Sequence, residues 1–340
     1  MMFSALARHC LTGLRRPPVL GRSGALARFA RNPVPFRAPW RSAILHVHRN
    51  MGLGDVLMCT PALREVKRLN PKCFIRFYTG NAAVVRGLPY IDEVLPFGDR
   101  LPGSISIVYE DAIPPRSHLA KIMGDVLGVR VEDVRPDCVV RPEEVEAFRT
   151  SWAHLPRPHI AVLRRAGRHT PNKDWPDYSW IALIGRLVQF GSVIEIGEAG
   201  ATPPGPPSGN YVDLRGRTSL EKLVAAIAAA DLHVGPDSGP MHIAAAVGTP
   251  SVVIYGGYID PANTLYPGNV ALTVPVSCSP CWLRSPCPFE RRCLSGISPG
   301  SVEEAVRKRW DAMIAEATEK SPSSRPKRAH PAARYGSAGA

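Results

Sequence analysis

From Ala43 onward, short apolar runs alternate with longer stretches of helical period. The runs Ala43–His48, Cys73–Tyr78, His159–Leu163, Val193–Ile196, Leu232–Val234 and Ser251–Tyr255 read as buried strands, with weaker ones near Val94, at Ile105–Tyr109 and at Tyr211–Leu214. Between them the apolar spacing predicts helices over Val56–Leu69, Ser117–Leu127, Glu143–Trp152, Tyr178–Phe190, Ser219–Ala230 and Met241–Val247. Thr60-Pro61 falls early enough in the first helix to be tolerated, and Ser219 or Thr218 supplies an N-cap for the fifth. His154-Leu155-Pro156-Arg157-Pro158 reads as a linker, after which the strand–helix pattern restarts. Two such series predict an α/β protein with two doubly wound, Rossmann-like parallel sheets facing each other across a cleft. The expected units are a domain over 43–153 and a second, ending in a final helix, over 154–319.

The stretch from Asp231 to Tyr255 joins a strand, the turn Gly235-Pro236-Asp237-Ser238-Gly239-Pro240 and a helix beginning near Met241. Gly248-Thr249-Pro250 ends that helix, with Gly just past the last turn and Pro beyond it. A bare turn at a helix N-terminus offers free N–H groups and the positive end of the helix dipole to an anion such as phosphate. An ordinary strand–turn–helix would need neither Asp237 nor His242 beside the turn.

The loop Met51-Gly52-Leu53-Gly54-Asp55 lies at the C-terminal end of the first strand, where open α/β sheets bind ligands. Asp55 there reads either as a helix cap or as a reactive carboxylate. The glycine spacing fits neither a dinucleotide fingerprint nor a Walker loop. A third loop, Thr170-Pro171-Asn172-Lys173-Asp174-Trp175-Pro176, follows the first strand of the second half and brings Lys173 within reach of a phosphate. No Asp-x-Asp pair of the metal-dependent transferase type accompanies these motifs.

The net charge of +13 over 340 residues changes the picture less than its size suggests. Residues 1–42 hold eight arginines and 320–340 five lysines or arginines, neither segment with an acid, so the body over 43–319 is neutral. The tails fit weak attraction to anionic lipid, and the body has no basic surface calling for nucleic acid. The first 42 residues read as a transit-like peptide, as a flexible basic arm at the inner face of a membrane, or as a leader without a role. The last 21 read as a disordered basic tail. Nowhere does an apolar run reach bilayer-spanning length, so the expected setting is cytoplasmic, peripheral to the inner face of the cytoplasmic membrane. Of eight cysteines, Cys278, Cys281, Cys287 and Cys293 cluster in sequence. In a reducing compartment they read either as a structural Zn or Fe clip or as reduced thiols. Cys10, Cys59, Cys73 and Cys138 read as small apolar residues.

Taken together, Gly54-Asp55 followed by Pro61-Ala62-Leu63, Lys173-x-Trp175-Pro176, and Asp237-Ser238-Gly239-Pro240-Met241-His242 with Gly248-Thr249-Pro250 resemble the bacterial ADP-heptose:lipopolysaccharide heptosyltransferases, glycosyltransferase family 9. The resemblance covers roughly Ala43 to Arg309, and a four-cysteine cluster near the C-terminus recurs in members of that family. It implies a GT-B fold, a nucleotide-sugar donor (ADP-heptose) on the C-terminal domain, a lipid-linked glycan acceptor on the N-terminal domain, and inversion without an obligatory metal or cofactor. By resemblance Asp55 is the catalytic base, with Gly52 and Gly54 in the acceptor-side loop. Lys173 and the Ser238-Gly239-Pro240-Met241 turn hold the diphosphate, Asp237 and His242 lie beside the transferred sugar, and Thr170 contacts phosphate. One departure stands out: the family's acidic residue near the nucleoside falls here around Gly197-Glu198-Ala199-Gly200, before a proline-rich loop. The alternative to a transferase is a non-catalytic nucleotide-binding module of the same fold, serving as a scaffold in envelope assembly.

Overall fold

The computed structural model describes residues 39–167, 169–200 and 209–319. The readings of the basic arm and basic tail therefore fall almost wholly outside the described residues. Strands β1 (Ile44–His48), β2 (Phe74–Tyr78), β3 (Glu93–Leu95) and β4 (Ile105–Ser106) form a parallel sheet in the order β3-β2-β1-β4. Helix α1 (Leu53–Leu69) crosses from β1 to β2 and buries Val56, Leu57, Cys59, Ala62, Leu63 and Val66. It starts three residues earlier than the apolar pattern predicts, because Gly52 opens the helix and Leu53 and Gly54 already lie in its first turn. Helix α2 (Leu119–Val126) packs beside α1 and is capped by His118, whose Nδ1 accepts the Ala120 N–H at 3.2 Å.

Helix α3 (Pro142–Trp152) leads to the second sheet, formed by β5 (His159–Leu163), β6 (Ser192–Ile196), β7 (Tyr211–Asp213), β8 (Leu232–Pro236), β9 (Ser251–Ile254) and β10 (Val270–Leu272) in the order β10-β9-β8-β5-β6-β7, again all parallel. Strands β5, β6, β8 and β9 are buried throughout, as their near-continuous apolar runs require when helices cover both faces. The crossovers are α4 (Asp177–Leu187), α5 (Leu220–Ala229) and α6 (Gly239–Val247). Ser219 caps α5, accepting the Lys222 N–H at 3.3 Å. Gly248 ends α6 at φ +81°, the left-handed turn its position predicts. The short α7 (Arg292–Ser295) and the long α8 (Pro299–Glu319) follow, and α8 lies against α4 and β9.

The two sheets are not separated by bare solvent. One apolar cluster runs from β1 and β2 through α1 into Met241, Ile243 and Ala244 of α6, and on to Tyr255 and Tyr266. Helix α3 lies on the far side of the boundary expected at 153/154. Its Val145 and Trp152 pack with Ala225, Ala226 and Ala229 of α5, on the second sheet. Both strand orders reverse direction beside a central strand, between β1 and β4 and between β5 and β8. The loops leaving β1, β5 and β8 are the three that carry the sequence motifs, so each opens at a switch point of its sheet.

Candidate functional site

Those loops converge on a cavity of about 1010 Å³, with walls drawn from both sheets. From the first half come Gly52, Leu53, Gly54, Asp55, Met58 and Tyr109. From the second come His169, Thr170, Lys173, Asp237, Ser238, Gly239, Pro240, His242, Tyr258 and Trp282.

Asp55 stands in the first turn of α1 but caps nothing, since Gly52 holds the N-cap position and no side chain bonds the free amides there. Its Oδ1 instead accepts from Nη2 of Arg49 at 2.9 Å. Gly52 is bare for this carboxylate: a Cβ there would stand 3.3 Å from Asp55 Oδ2. Gly54 is bare for a different reason. A Cβ on it would meet the His242 ring at 2.5 Å, so the start of α1 rests directly on α6.

In the second half, Lys173 Nζ donates to Asp237 Oδ2 at 2.5 Å and lies 4.9 Å above the Tyr258 ring. Burial alone would raise the Asp237 carboxyl, but the Lys173 and His242 charges outweigh it and hold Asp237 below the usual carboxylate range. His242 is pushed down to about 4 by burial, against the opposing pull of Asp237 and Asp55, so the ring is neutral near pH 7. Its Nδ1 meets the Tyr266 hydroxyl at 2.6 Å, leaving the Nε2 edge toward Gly54. Ser238 caps α6 without a side-chain bond to the helix amides, its hydroxyl donating instead to Pro236 O at 3.2 Å.

Three expected contacts look different in three dimensions. Met241 is fully buried in the apolar cluster and its amide is bonded to Ser238 O, so its side chain does not face the cavity. The Thr170 hydroxyl donates to Leu283 O at 3.0 Å and accepts the Asn172 N–H, so it builds the loop that carries Lys173. Gly239 abuts Leu53, whose side chain would lie 3.1 Å from an added Cβ, so that space is taken by packing between the halves. Sequence reasoning missed Arg49, Tyr109, Glu110, His169, Tyr258 and Trp282. Tyr258 packs against Trp282 in a tilted pair with centroids 5.4 Å apart and meets the His169 ring edge-on at 6.0 Å, giving the cavity an aromatic wall. At the other end Glu198 lines the cavity, and the fully buried Glu195 is bound by Arg164 at 2.6 Å and by Arg215 at 3.1 Å.

Cys278, Cys281, Cys287 and Cys293 come into one neighbourhood: burial raises the Cys281 thiol, and the other three thiols add to the effect. Among the described residues, however, no group of three or more His, Cys, Asp or Glu side chains is arranged to hold a metal ion. Nor is any described helix long and apolar enough to cross a membrane.

Residues 118–285 match the sequence model of glycosyltransferase family 9 (heptosyltransferase). The chain is 31% identical over 137 residues to lipooligosaccharide heptosyltransferase 2 of Haemophilus influenzae, a match covering 36% of this chain and 40% of that relative's length. Its fold is similar to that of the E. coli ADP-heptose LPS heptosyltransferase II, at a TM-score of 0.59 and 19% identity, covering 81% of this chain and 99% of that one. It is also similar to the iron-containing dodecameric glycosyltransferase TibC of enterotoxigenic E. coli, at a TM-score of 0.60 and 17% identity, covering 79% and 76%. The sequence match thus spans just under half of the chain, and across the described body the chain has the GT-B arrangement and is similar to the glycosyltransferase family 9 heptosyltransferases.

Proposed function

We propose that the protein is an inverting glycosyltransferase that moves a heptose, or a similar sugar, from an ADP-linked donor to a lipopolysaccharide-core or other surface-glycan acceptor. One observation carries the reading. A partly exposed carboxylate on one sheet and a cation with a helix N-terminus on the other line the same cavity. The donor diphosphate sits at Lys173 and the turn Ser238-Gly239-Pro240 at the start of α6. As the glycosidic bond breaks, the leaving diphosphate gains negative charge. Lys173 and the helix dipole supply preorganised positive potential where that charge develops. Asp237 holds Lys173 in place, and neutral His242 offers a hydrogen bond beside the sugar. The acceptor hydroxyl attacks the anomeric carbon from the opposite side, and its proton passes to Asp55 as the new bond forms. The expected domain division gives the acceptor to the first sheet and the donor to the second.

The test is ADP release from a panel of nucleotide sugars in the presence of heptose-deficient lipopolysaccharide. The proposal expects release with an ADP-heptose that requires the acceptor. Tight ADP binding with no transfer from any donor would favour the non-catalytic module.

A further inference from the structure

We propose that Arg49, gripped from behind by Glu110, is the positioning residue that sets the Asp55 carboxylate. The inference rests on the reading of Asp55 as the base. Arg49 follows β1 directly, and its backbone N–H donates to Tyr78 O at 3.2 Å, which fixes its start against β2. Its side chain is 3% exposed. Nη2 donates to Asp55 Oδ1 at 2.9 Å and to Glu110 Oε1 at 2.7 Å, while Nη1 donates to Glu110 Oε2 at 2.9 Å. The Tyr109 ring lies 5.0 Å from the guanidinium. Glu110 is itself held in place, its Oε2 accepting the Tyr109 N–H at 3.1 Å. Burial pulls the Glu110 carboxyl up, but the Arg49 hydrogen bond and charge outweigh it and hold the acid ionised.

The arrangement is more than a fold needs. A buried ion group is poor value for stability compared with apolar packing of the same volume. Here it sits behind a single cavity-lining carboxylate. Asp55 and Tyr109 face the cavity, and neither Arg49 nor Glu110 is among the residues lining it. Arg49 therefore meets a ligand only through Asp55. With Oδ1 tied to the guanidinium and Gly52 leaving room beside Oδ2, the carboxylate is held with Oδ2 as the oxygen for the acceptor proton. Glu110 engages both terminal nitrogens of the guanidinium, so Arg49 cannot turn toward the diphosphate. Two bonds to a planar fork also fix the orientation of the group, which a lysine ammonium at the same place would not do.

A double-mutant cycle on turnover tests this. Arg49→Met should lower kcat by ~10²-fold, the scale of a misplaced reacting group, with ADP affinity and donor KM close to wild type. Arg49→Lys should recover part of the loss, and Glu110→Gln should lose only ~3–10-fold, because one arm of the clamp remains. If Arg49 acts through Asp55, adding Arg49→Met to Asp55→Asn costs nothing further, since residues that act as a unit are not additive. Wild-type kcat in Arg49→Met, or losses that multiply in the double variant, would overturn the proposal. If Arg49→Met does not fold, Arg49→Lys and Glu110→Gln carry the test, and wild-type kcat in both would overturn it. Near-wild-type turnover in Asp55→Asn would instead overturn the base assignment beneath it, so the two failures are distinguishable.

Discussion

The two walls of the cavity are built as opposites. On the first sheet the cation is hidden and an acid comes forward: Arg49 is 3% exposed, against 17% for Asp55, which lines the cavity. On the second sheet the acid is hidden and the cation comes forward, with Asp237 at 4% and Lys173 at 19%. In these two pairs the more exposed member is the carboxylate on the first wall and the ammonium on the second, each held by a buried partner of opposite sign. A wall facing the cavity with carboxylate can take a proton. A wall facing it with ammonium can hold a diphosphate. Exchanging the order on either side would leave the same ion pairs with the wrong chemistry.

The largest effect should come from neutralising the forward charge on the first wall. Asp55→Asn keeps size and hydrogen bonding and should lower kcat by ~10²–10⁴-fold, the usual contribution of a general base, read in steady-state turnover with an acceptor present. Next comes the forward charge on the second wall, whose loss leaves its buried partner alone. Lys173→Ala strands Asp237 in a dry site and should destabilise by up to about 3 kcal/mol, reduced because Lys173 is partly solvated. Denaturant unfolding should show most of that loss restored in Lys173→Ala/Asp237→Asn, where no unpaired charge remains. No restoration would mean that the pair is not what stabilises this wall.

How much of this could be read from the chain depends on range. The strands of the second sheet were legible because burial on both faces makes their apolar runs continuous. The three site loops were legible because Gly, Pro and Asp cluster there. The clamp behind Asp55 was not, since Arg49, six positions from Asp55, is fixed by Glu110, which lies 61 positions from Arg49 with nothing local to link them. A motif also hides which way its residues point, so Met241 reads as part of the turn although its side chain fills the core. Helix α3 has an apolar stripe, but a stripe does not say which sheet it will cover, and here it meets α5. Gly54 and Gly239 line the cavity, and their bareness also serves the seam, where they make room for His242 and Leu53 of the opposite wall.

That last point gives a smaller prediction at the seam between the walls. Gly54→Ala puts a methyl group 2.5 Å from the His242 ring, which the bond to Tyr266 keeps from swinging away. A loss of about 1–3 kcal/mol is expected, together with weaker donor affinity, because His242 must move. Unchanged melting temperature and ADP affinity would show that the walls can separate at no cost.

The smallest effect at neutral pH grows on acidification. Burial lowers His118 to about 4, with the His242 charge as a second cause, lowers His242 to about 4, and lowers His233 to about 3. All three lie below the ordinary histidine value of 6.5. The unfolded chain therefore binds more protons than the fold between that value and the folded ones, so stability rises with pH across this window. It should be fully present above about 6.5 and lost progressively toward 4, as followed by unfolding free energy against pH. A flat profile from pH 7 to 5 would mean that these rings are not held neutral.

The opposed walls are tested most directly by ADP affinity, measured by calorimetric titration of Asp55→Asn and Lys173→Gln. Gln keeps a hydrogen-bond donor for Asp237 and removes only the forward charge. The account predicts that Asp55→Asn binds ADP within about twofold of wild type, because its carboxylate serves the acceptor, while Lys173→Gln loses ~10-fold or more, as one charge-assisted hydrogen bond is worth. Equal weakening in the two variants, or wild-type affinity in Lys173→Gln, would contradict it.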